Sequence, residues 1–427
     1  MARVPSNSHN CDVLVIGGGP AGSTISSQLS EMGWDVTLIE KEWHPRFHIG
    51  ESLLPRNLPI LERLGVLRDV SRIAVIKYGA DLSLPSGEDY RKFEFAEADP
   101  LQPSAFQVKR AEFDALLLNN SLAKGARVLQ GTKATAVSFG ADRRAQVTTV
   151  NDAGKEAVWH ADFLVDASGR DSLLANRLKL KIRDPQHNSA AVFAHFDGVR
   201  RRYGADAGNT SIIWFEQGWF WTIPLPDGND SVGVVCRADY LRTRRTPLDR
   251  FLLDSVASCP QIARRMSRAK LVTEVYAAGN YSYKAKVMYG DQFLLVGDAY
   301  AFLDPIFSTG VYLAMESAMR GAETVDACLS DPANRSCYLA RHAQIMDRGL
   351  RRLSWFIYRF NDPAMQDLFM ASANPLNMRK AVISLLAGDV FRTSVGGLAV
   401  PAFKLAYHLL SFIRSKPGRS GASRNSA

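Results

Sequence analysis

The sequence has few cysteines and lacks any long, uncharged apolar run. No two cysteines have C-x-x-C spacing, so the sequence gives no indication of a zinc site or a disulfide framework; the cysteines are Cys11, Cys236, Cys259, Cys328 and Cys337. No stretch of about 20 apolar residues, the length that spans a bilayer, is present. The N-terminus is polar and leads directly into a strand pattern rather than a signal peptide. We therefore expect a cytoplasmic protein without a metal site.

Acidic residues are also in the minority. The chain has 52 Lys and Arg against 43 Asp and Glu, a net charge of +9. Part of this excess is local, because residues 401–427 contain no acidic side chain and five basic ones: Lys404, Arg414, Lys416, Arg419 and Arg424. No module with basic and aromatic residues at regular spacing accompanies the charge, so we do not expect a nucleic-acid partner.

The order of apolar patterns predicts an α/β fold. A buried strand over 11–16, a helix over 21–32 and a second strand over 35–40 form a βαβ unit. Alternating strands between about 189 and 237 predict an antiparallel sheet that is a separate substrate-side domain. A strand over 293–296 and a helix over 311–329 return to the nucleotide-binding pattern, and the chain after 344 is mostly helical.

These patterns predict interleaved domains. The expected boundaries are 8–80, 105–185 and 270–345 for a discontinuous nucleotide-binding domain, 81–104 and 186–269 for the β-sheet domain, 346–414 for a helical C-terminal region, and 415–427 for a basic tail.

The first strand is followed by a dinucleotide-binding glycine motif. Gly17, Gly19 and Gly22 satisfy G-x-G-x-x-G at the start of a helix, with Ala21 between the last two glycines. The glycines allow a tight turn, close approach of a pyrophosphate and close packing of helix on strand, and the helix N-terminus attracts phosphate. Glu40 ends the second strand, where it can accept hydrogen bonds from ribose hydroxyls. Since strand, helix and acid all agree, we expect a dinucleotide site rather than a chance glycine turn.

Three further segments favour FAD over NAD. An apolar strand ends in Gly297-Asp298, a helix begins at Arg110, and a strand end reads Asp166-Ala167-Ser168-Gly169-Arg170. Gly297-Asp298 alone is typical of a turn with a capping aspartate. Together the segments resemble the FAD-binding monooxygenase-like folds, which implies a glutathione-reductase-like Rossmann domain. The resemblance also implies that the FAD contacts include Lys41, Gly50, Ser52, Pro305, Gly310 and Val311.

A second set of motifs resembles the flavin-dependent halogenases more specifically. Residues 47–55 read FHIGESLLP, like the flavin-covering loop of that family, and residues 219–224 contain its W-x-W-x-I-P motif. Residues 302–310, FLDPIFSTG, resemble its halide loop, and Lys77 lies where the family has its active-site lysine. The first and third motifs also occur in related reductases and hydroxylases, so the specificity lies in their combination with the tryptophans and the lysine.

The resemblance implies a reaction as well as a fold. Reduced FAD and oxygen would oxidise a chloride or bromide to hypohalous acid, which Lys77 would hold or bind as a haloamine before delivery to an electron-rich ring. The halide would bind amides of the turn at Ser308, Thr309 and Gly310, because a soft anion needs a dry set of N–H donors. A wall formed by Trp219, Trp221, Ile223 and Pro224 would separate the flavin from the substrate.

Taken singly, two of these features have ordinary interpretations. Trp219 and Trp221 have the same parity on a strand, which is also typical of an aromatic pair in a core. Most lysines lie on the surface, although Lys77 follows an apolar run. A lysine suits the proposed chemistry because burial lowers its pKa readily.

One position departs from the halogenases of free tryptophan, which have a glutamate immediately before the Ser-Thr-Gly. Here that residue is Phe307, which cannot act as a base or hydrogen-bond partner. The substrate must then be activated by its own chemistry, as phenols and pyrroles are. We therefore expect a phenolic or pyrrolic substrate, either free or tethered to an acyl or peptidyl carrier protein.

The C-terminal segment 403–414 predicts an amphipathic helix. Lys404, His408 and Ser411 share one face, and Phe403, Ala406, Leu410 and Ile413 the other. Three interpretations remain open: a helix that caps the substrate channel, a docking face for an acidic carrier protein, and a helix that rests peripherally on the inner membrane.

Two further functions compete with halogenation. The chain could be an FAD-dependent monooxygenase or geranylgeranyl-reductase-like enzyme that keeps the halide-loop sequence without using it, or a catalytically silent flavoprotein that docks through its basic end. A requirement for halide separates the first from halogenation. No second nucleotide-binding glycine motif occurs in the sequence, which implies that a separate flavin reductase supplies reduced FAD.

Overall fold

The computed structural model describes residues 7–86, 89–140, 142–184, 188–279, 282–371, 378–391 and 399–415. Nearly all of the predicted basic tail lies outside these residues. Strands in chain order are β1 Ser8–Ile16, β2 Val36–Ile39, β3 Ala74–Lys77, β4 Gly79–Ser83, β5 Tyr90–Glu94, β6 Ala105–Val108, β7 Arg127–Leu129, β8 Thr132–Phe139, β9 Ala145–Asn151, β10 Glu156–Asp166, β11 Lys181–Arg183, β12 Ser189–Asp197, β13 Thr210–Phe215, β14 Gly218–Pro224, β15 Asp230–Arg237, β16 Lys270–Leu271, β17 Tyr276–Ala278, β18 Tyr283–Ala285, β19 Tyr289–Gly290, β20 Phe293–Leu295 and β21 Ala301–Phe302.

The described residues also form α-helices and several short 3₁₀ turns. The α-helices are α1 Pro20–Glu31, α2 Asn57–Arg63, α3 Leu67–Arg72, α4 Arg110–Ala123, α5 Leu173–Arg177, α6 Ala238–Arg242, α7 Leu248–Ala257, α8 Pro260–Arg265, α9 Gly310–Ser330, α10 Arg335–Ile357, α11 Pro363–Met370, α12 Met378–Leu386 and α13 Ala399–Ser415.

The first large sheet is the predicted nucleotide-binding sheet. Its order is β19-β20-β10-β1-β2-β7, with β9 also paired to β10 and β8 paired to β9. The central pairs β20–β10, β10–β1, β1–β2 and β2–β7 are parallel. Parallel strands buried on both faces read as continuous apolar runs, as Val13, Leu14 and Val15 do in β1, where all three are fully buried. The carboxyl ends of these strands meet at one edge, where the site lies.

The second large sheet carries the tryptophan motif. Its order is β16-β12-β15-β14-β13-β4-β5, and β17 also pairs with β12. The strands between 189 and 237 pair in antiparallel fashion, as predicted, and β4 joins them by running parallel to β13. The parallel pair arises because β4 enters from the nucleotide-binding part of the chain rather than through a hairpin. The short strands β16 and β17 pair with β12 although they belong to the segment predicted for the nucleotide-binding domain.

The strand that bears Lys77 belongs to a small separate ladder. β3 pairs with β6 in antiparallel register, with Lys77 opposite Ala105. The flavin-covering loop, residues 47–55, is also attached to this ladder, because Ser52 forms a bridge with Gln107. The flavin-covering loop and the lysine are therefore attached to the same strand, β6.

The C-terminal helix α13 is only partly covered. Phe403 and Tyr407 are buried, and their rings pack against Phe356 and Trp355. Ile413, which the helical pattern places on the apolar face, is 65 % exposed. That face is therefore covered at its start and open at its end. Among the described residues, no helix combines the length and the apolar character needed to cross a bilayer.

The packing of β1 on α1 predicts a sharp difference between two glycines of the same motif. A Cβ at Gly22 would lie 1.8 Å from the carbonyl oxygen of Gly17, whereas the nearest atom to a Cβ at Gly19 is 3.7 Å away. We expect Gly22→Ala to lower the free energy of unfolding by about 1–3 kcal/mol or more, and the matched Gly19→Ala to lower it by less than about 1 kcal/mol. Thermal unfolding of the FAD-free proteins measures both; equal effects would contradict this packing.

Candidate active site

A cavity of about 430 Å³ opens where the two large sheets meet. Loops after β1, β2 and β10, the segment after β20 and one face of β13 and β14 line it. The predicted site residues that line it are Gly17, Gly19, Ala21, Glu40, Lys41, Gly50, Ser52, Arg110, Trp219, Trp221, Ile223, Asp298, Pro305, Ser308, Gly310 and Val311. Residues far apart in the sequence are thus brought to one place, while Gly22, Lys77, Pro224 and Thr309 lie behind the lining.

The glycine motif has the geometry of a phosphate site. Gly17 has φ +106°, and a Cβ there would lie 2.4 Å from the Ala167 carbonyl oxygen, so only glycine fits this turn. Helix α1 begins immediately afterwards, with Gly19 at its N-cap, and its first amides have no acceptor within the helix. A helix N-terminus at the cavity wall is a ready site for a pyrophosphate.

Glu40 stabilises the conformation of the phosphate loop, the glycine turn over residues 17–19. Its carboxylate accepts hydrogen bonds from the Gly18 amide at 2.6 Å and from the Glu42 amide at 2.8 Å. Each oxygen therefore already has one backbone partner, and the second lone pairs remain for a ribose. The ribose contact predicted from the sequence stays a prediction.

Arg46 is a cavity residue that the sequence analysis missed. Its guanidinium lies 3.0 Å from the Glu42 carboxylate and 3.6 Å from that of Asp114, with a side chain 15 % exposed. It also lies 3.7 Å from the position of a Cβ on Gly19, which puts a positive charge beside the phosphate loop. A lone arginine in a loop carries no signal in the sequence, since its position depends on the fold.

Arg110 anchors the flavin-covering loop from α4. The guanidinium makes two hydrogen bonds to Asp114, at 2.7 and 2.8 Å, and donates to the Ile49 carbonyl at 2.7 Å. A Cβ on Gly50 would lie 2.8 Å from Arg110 Nη1. The loop thus passes so close to the guanidinium that glycine is required there.

Asp298 is a half-buried acid in the lining of the cavity. Burial raises its pKa to about 6, against the opposing charges of Arg170 and Arg110. At the rim, Lys41 forms an exposed ion pair with Asp171 at 2.5 Å. The donor-rich phosphate loop, two arginines and this acid suit FAD, whose pyrophosphate needs donors and whose hydroxyls need acceptors.

The tryptophan motif forms one wall of the cavity. Trp219, Trp221 and Ile223 alternate along β14, so all three face the cavity. The two indole rings lie 5.9 Å apart, and Trp221 Nε1 donates to Ser231 Oγ at 3.1 Å. Pro224 is buried at the end of the strand, opposite Asp230, and does not line the cavity. The two tryptophans therefore pack against each other and also line the cavity, where they can contact a bound molecule.

The predicted halide loop forms a sharp turn at the start of α9. Ser308 has φ +55° after a 3₁₀ turn over Pro305–Phe307. Thr309 is the buried N-cap residue and Gly310 begins the helix. Space in front of Gly310 is open, because no atom lies within 4 Å of a Cβ placed there. First-turn amides facing a cavity can bind a small anion.

Lys77 lies one hydrogen bond behind the cavity wall. It is only 2 % exposed, and its Nζ donates to Ser52 Oγ at 2.6 Å. Ser52 Oγ in turn lies 3.1 Å from Thr210 Oγ1, and both hydroxyl residues line the cavity. Burial lowers the pKa of Lys77 to about 7. A large fraction of its amine is therefore neutral, and hence nucleophilic, near neutral pH.

Phe307 lies in an aromatic cluster with C-terminal helices. Its ring is edge-on to Phe360 at 5.5 Å and 6.4 Å from Phe369, and Phe360 stacks on Trp214 at 4.8 Å. The residue that replaces the expected glutamate therefore has an apolar environment as well as an apolar side chain.

Two more polar groups at the cavity escaped the sequence analysis. His48 Nδ1 donates a hydrogen bond to the Ile49 carbonyl oxygen at 2.7 Å, and burial, aided by Arg110, lowers the pKa of His48 to about 4, so it is neutral. Glu51 lies 2.8 Å from His195 Nε2, and both are buried. Glu51 belongs to the FHIGESLLP motif over residues 47–55. Its partner His195 is 144 residues away, and no pattern in the sequence around His195 indicates the contact.

Comparison with known proteins agrees with this geometry. The sequence model of the tryptophan halogenase family matches residues 12–78 and 90–367. A 1H-pyrrole-2-carbonyl-[peptidyl-carrier protein] chlorinase of Pseudomonas fluorescens is 32 % identical over 412 residues, covering 90 % of both chains.

Two solved structures are similar over almost their whole length. A flavoprotein/dehydrogenase from Cytophaga hutchinsonii has a TM-score of 0.86 and 28 % identity, covering 95 % of this chain and 99 % of that one. The myxobacterial chondrochloren halogenase, described as a variant of FAD-dependent halogenases, has a TM-score of 0.79 and 30 % identity, covering 96 % and 98 %.

The buried amine predicts a measurable effect on stability. Because the folded-state pKa of Lys77 lies below its ordinary value, the unfolded chain binds the proton more tightly, and stability contributed by this group rises with pH between about 7 and 10.5. We expect Lys77→Met to raise the free energy of unfolding by about 1–4 kcal/mol at pH 7, with the difference shrinking toward pH 10. Urea denaturation across this pH range measures it. A Met variant less stable than the wild type, or a stability difference that does not change with pH, would contradict the burial of a free amine.

Proposed function

The chain belongs to the tryptophan halogenase family and is an FAD-dependent halogenase, and we propose that it chlorinates or brominates a phenol or pyrrole through Lys77. The observation that carries this proposal is the buried amine, joined by one hydrogen bond to a hydroxyl on the cavity wall. An exposed lysine would release a hypohalous acid to water, whereas a buried one can hold it.

FAD is the cofactor of this family. When bound and reduced, it supplies with oxygen the two-electron oxidation of a halide to hypohalous acid. Gly17, Gly19 and Arg46 would bind the pyrophosphate, and Glu40 and Asp298 would accept hydrogen bonds from the sugar and ribityl hydroxyls.

Chloride or bromide would bind the amides of Thr309 and Gly310. The open space in front of Gly310 admits an ion next to the N-terminus of α9, whose partial positive charge favours an anion. Trp219 and Trp221 would keep the organic substrate away from this compartment. Such a partition explains how the enzyme would halogenate a ring rather than hydroxylate it.

Lys77 would then present the electrophilic halogen to the substrate. Its neutral amine can bind the halogen as a haloamine, and its ammonium form can donate a hydrogen bond to hypohalous acid. Both forms are populated near pH 7 because burial lowers the pKa to about 7. Ser52 fixes the amine by accepting its hydrogen bond at 2.6 Å.

The substrate class follows from the surroundings of Phe307. Its aromatic neighbours offer no base to activate a ring, so the ring must be electron-rich by itself, as a phenol or pyrrole is. The similar Pseudomonas fluorescens protein acts on a pyrrole carried by a peptidyl carrier protein. We propose that the substrate here is likewise a phenolic or pyrrolic group, tethered to a carrier, and that a separate flavin reductase supplies reduced FAD.

Product analysis tests this function. The purified enzyme is incubated with FAD, a flavin reductase, NADH, bromide or chloride and a panel of phenols and pyrroles, free and carrier-tethered, and the products are identified by mass spectrometry. We expect halogenated product that requires halide. Lys77→Ala should reduce it by about 10²-fold or more while FAD still binds, whereas Lys124→Ala, at a half-buried lysine remote from the cavity lining, should not. A hydroxylated product independent of halide would instead establish a monooxygenase.

The open side of α13 is a candidate docking surface for the carrier. Leu405, Leu409, Phe412 and Ile413 are 55–65 % exposed, and the segment from 401 onward has no acidic residue. An exposed apolar strip in a basic segment suits an acidic protein partner or, as the alternative, peripheral contact with an anionic membrane.

Paired substitutions separate docking from catalysis. We expect Leu409→Ser with Phe412→Ser to slow halogenation of a carrier-tethered substrate and to leave that of a free one unchanged, because only the tethered substrate needs the surface. Leu122→Ser, on an equally exposed leucine of α4, serves as the matched control. Equal rates on tethered substrate would refute the docking role, and loss of binding to anionic vesicles would favour the membrane alternative.

A further inference from the structure

A buried acid and a histidine lie together at the flavin cavity. Glu51 is 1 % exposed and His195 is 6 % exposed, and Glu51 Oε1 lies 2.8 Å from His195 Nε2. Glu51 is part of the cavity lining, and His195 stands behind it on β12. None of the functions described above uses this pair.

The backbone fixes the direction of the Glu51 side chain. Its carbonyl accepts a hydrogen bond from the Val108 amide at 2.8 Å, and the next residue, Ser52, forms a bridge with Gln107. Neighbouring residues in this extended segment serve different groups, since Ser52 binds Lys77 and Glu51 binds His195. The same loop therefore presents an acid to the cavity and holds the lysine behind it.

The second oxygen of Glu51 has no partner. Among the described residues, nothing forms a hydrogen bond with the buried atom Oε2. An unpaired buried acceptor is unfavourable, and structures rarely retain one without a use. Because Glu51 lines the cavity, the missing partner is a group that enters the cavity.

The overall reaction requires a proton at this place. Halogenation of an aromatic C–H consumes one halide ion, one oxygen molecule, the two hydrogens of reduced FAD and one proton, and yields the aryl halide, oxidised FAD and two waters. The halide is oxidised and oxygen is reduced, so both oxygen atoms must leave protonated. One proton per turnover therefore comes from solvent into a cavity walled by apolar indoles.

His195 offers a route for that proton. Its ring lies edge-on to Phe47 at a centroid distance of 5.7 Å, and Phe47, in the same loop as Glu51, is 42 % exposed. The histidine, itself 6 % exposed, thus contacts both a partly exposed residue of the loop and the buried carboxylate. Imidazole is the side chain whose ordinary pKa suits proton transfer near neutral pH.

We propose that Glu51 donates the proton that converts a departing oxygen to water in the cavity, and that His195 is the positioning residue that orients and reprotonates it. The proposal rests on the halogenase function. In the step, the O–H bond of the Glu51 carboxylic acid breaks and an O–H bond of water forms. His195 takes a proton from solvent, and its imidazolium then gives the Nε2 proton to the Glu51 carboxylate and returns to the neutral imidazole.

The other charged groups near Glu51 and His195 already have partners of their own. Lys109 and Arg110, at the start of α4, are the cations that feel the charge of Glu51. Arg110 is bound by Asp114 at 2.7 Å and Lys109 by Asp227 at 3.0 Å, so both are largely neutralised by other acids. His48 at the cavity is neutral and bound to its neighbour's backbone. Glu51 is therefore the acid at the wall that has both a free oxygen and a histidine behind it.

Conservative variants separate proton transfer from packing. Glu51→Gln keeps the volume but has no acidic proton, and His195→Gln keeps an N–H donor for Glu51 but cannot pass a proton on. We expect each to lower halogenated product by about 10²-fold with an unchanged Kd for FAD. Lowering the pH should partly restore His195→Gln, because solvent then supplies the proton. His160→Gln, at a half-buried histidine of β10, is the matched control and should match the wild type.

The absorption spectrum of bound FAD gives a readout that does not depend on turnover. Because Glu51 lines the cavity, we expect Glu51→Gln to displace the visible absorption band of bound FAD from its wild-type position and His160→Gln to leave it unchanged. A His195→Gln variant with wild-type rate and pH profile would overturn the relay, as would an unchanged FAD band in Glu51→Gln. If the wild type forms no halogenated product, the halogenase function fails, and the absorption band still decides whether Glu51 faces the cofactor.

Discussion

The hydrogen bond between Lys77 Nζ and Ser52 Oγ is the contact on which the site depends. A charged amine buried to this degree is unfavourable, and burial accordingly lowers its pKa to about 7. A single hydroxyl stabilises the amine, and that hydroxyl lies on the wall of the flavin cavity. The amine of Lys77 is therefore separated from water and lies one hydrogen bond from the cavity lining.

The fold supports this contact by attaching both partners to one strand. Ser52 forms a bridge with Gln107, and Lys77 pairs with Ala105 in the same short ladder. Thr210, at the start of β13, closes the arrangement from the second large sheet. Three segments far apart in the chain therefore fix the amine, the hydroxyl and the cavity wall in one rigid unit. Movement of the flavin-covering loop would displace Ser52 and therefore alter its hydrogen bond with Lys77.

Local patterns were enough to predict much of this protein. The glycine motif, the parallel strands and the tryptophan strand depend on neighbouring residues and on strand periodicity, and each lies within a few residues of its expected bounds. Gly22 illustrates why: its lack of a side chain is required by the Gly17 carbonyl only five residues away. The family resemblance added the lysine and the halide loop, and the roles that it implies for them stay predictions.

Features that depend on long-range contacts could not be predicted. Arg46 and His195 have no local signal, because their partners are supplied by other elements of the fold. The parallel pairing of β13 with β4 depends on where β4 enters the sheet. Ile413 is exposed because its neighbours pack only the first part of α13. In each case the deciding contact is tertiary, and a single sequence shows only one of the two partners.

The ionisation of Lys77 tests the central claim most directly. Lysine labelled with 13C at the ε carbon gives one resolved NMR signal for each buried amine, and the signal of Lys77 is identified by its loss in Lys77→Met. The account predicts that this signal titrates near pH 7 in the folded protein, as burial of the amine behind Ser52 requires. A signal that stays unchanged until about pH 10.5, the range of an ordinary lysine, would contradict it.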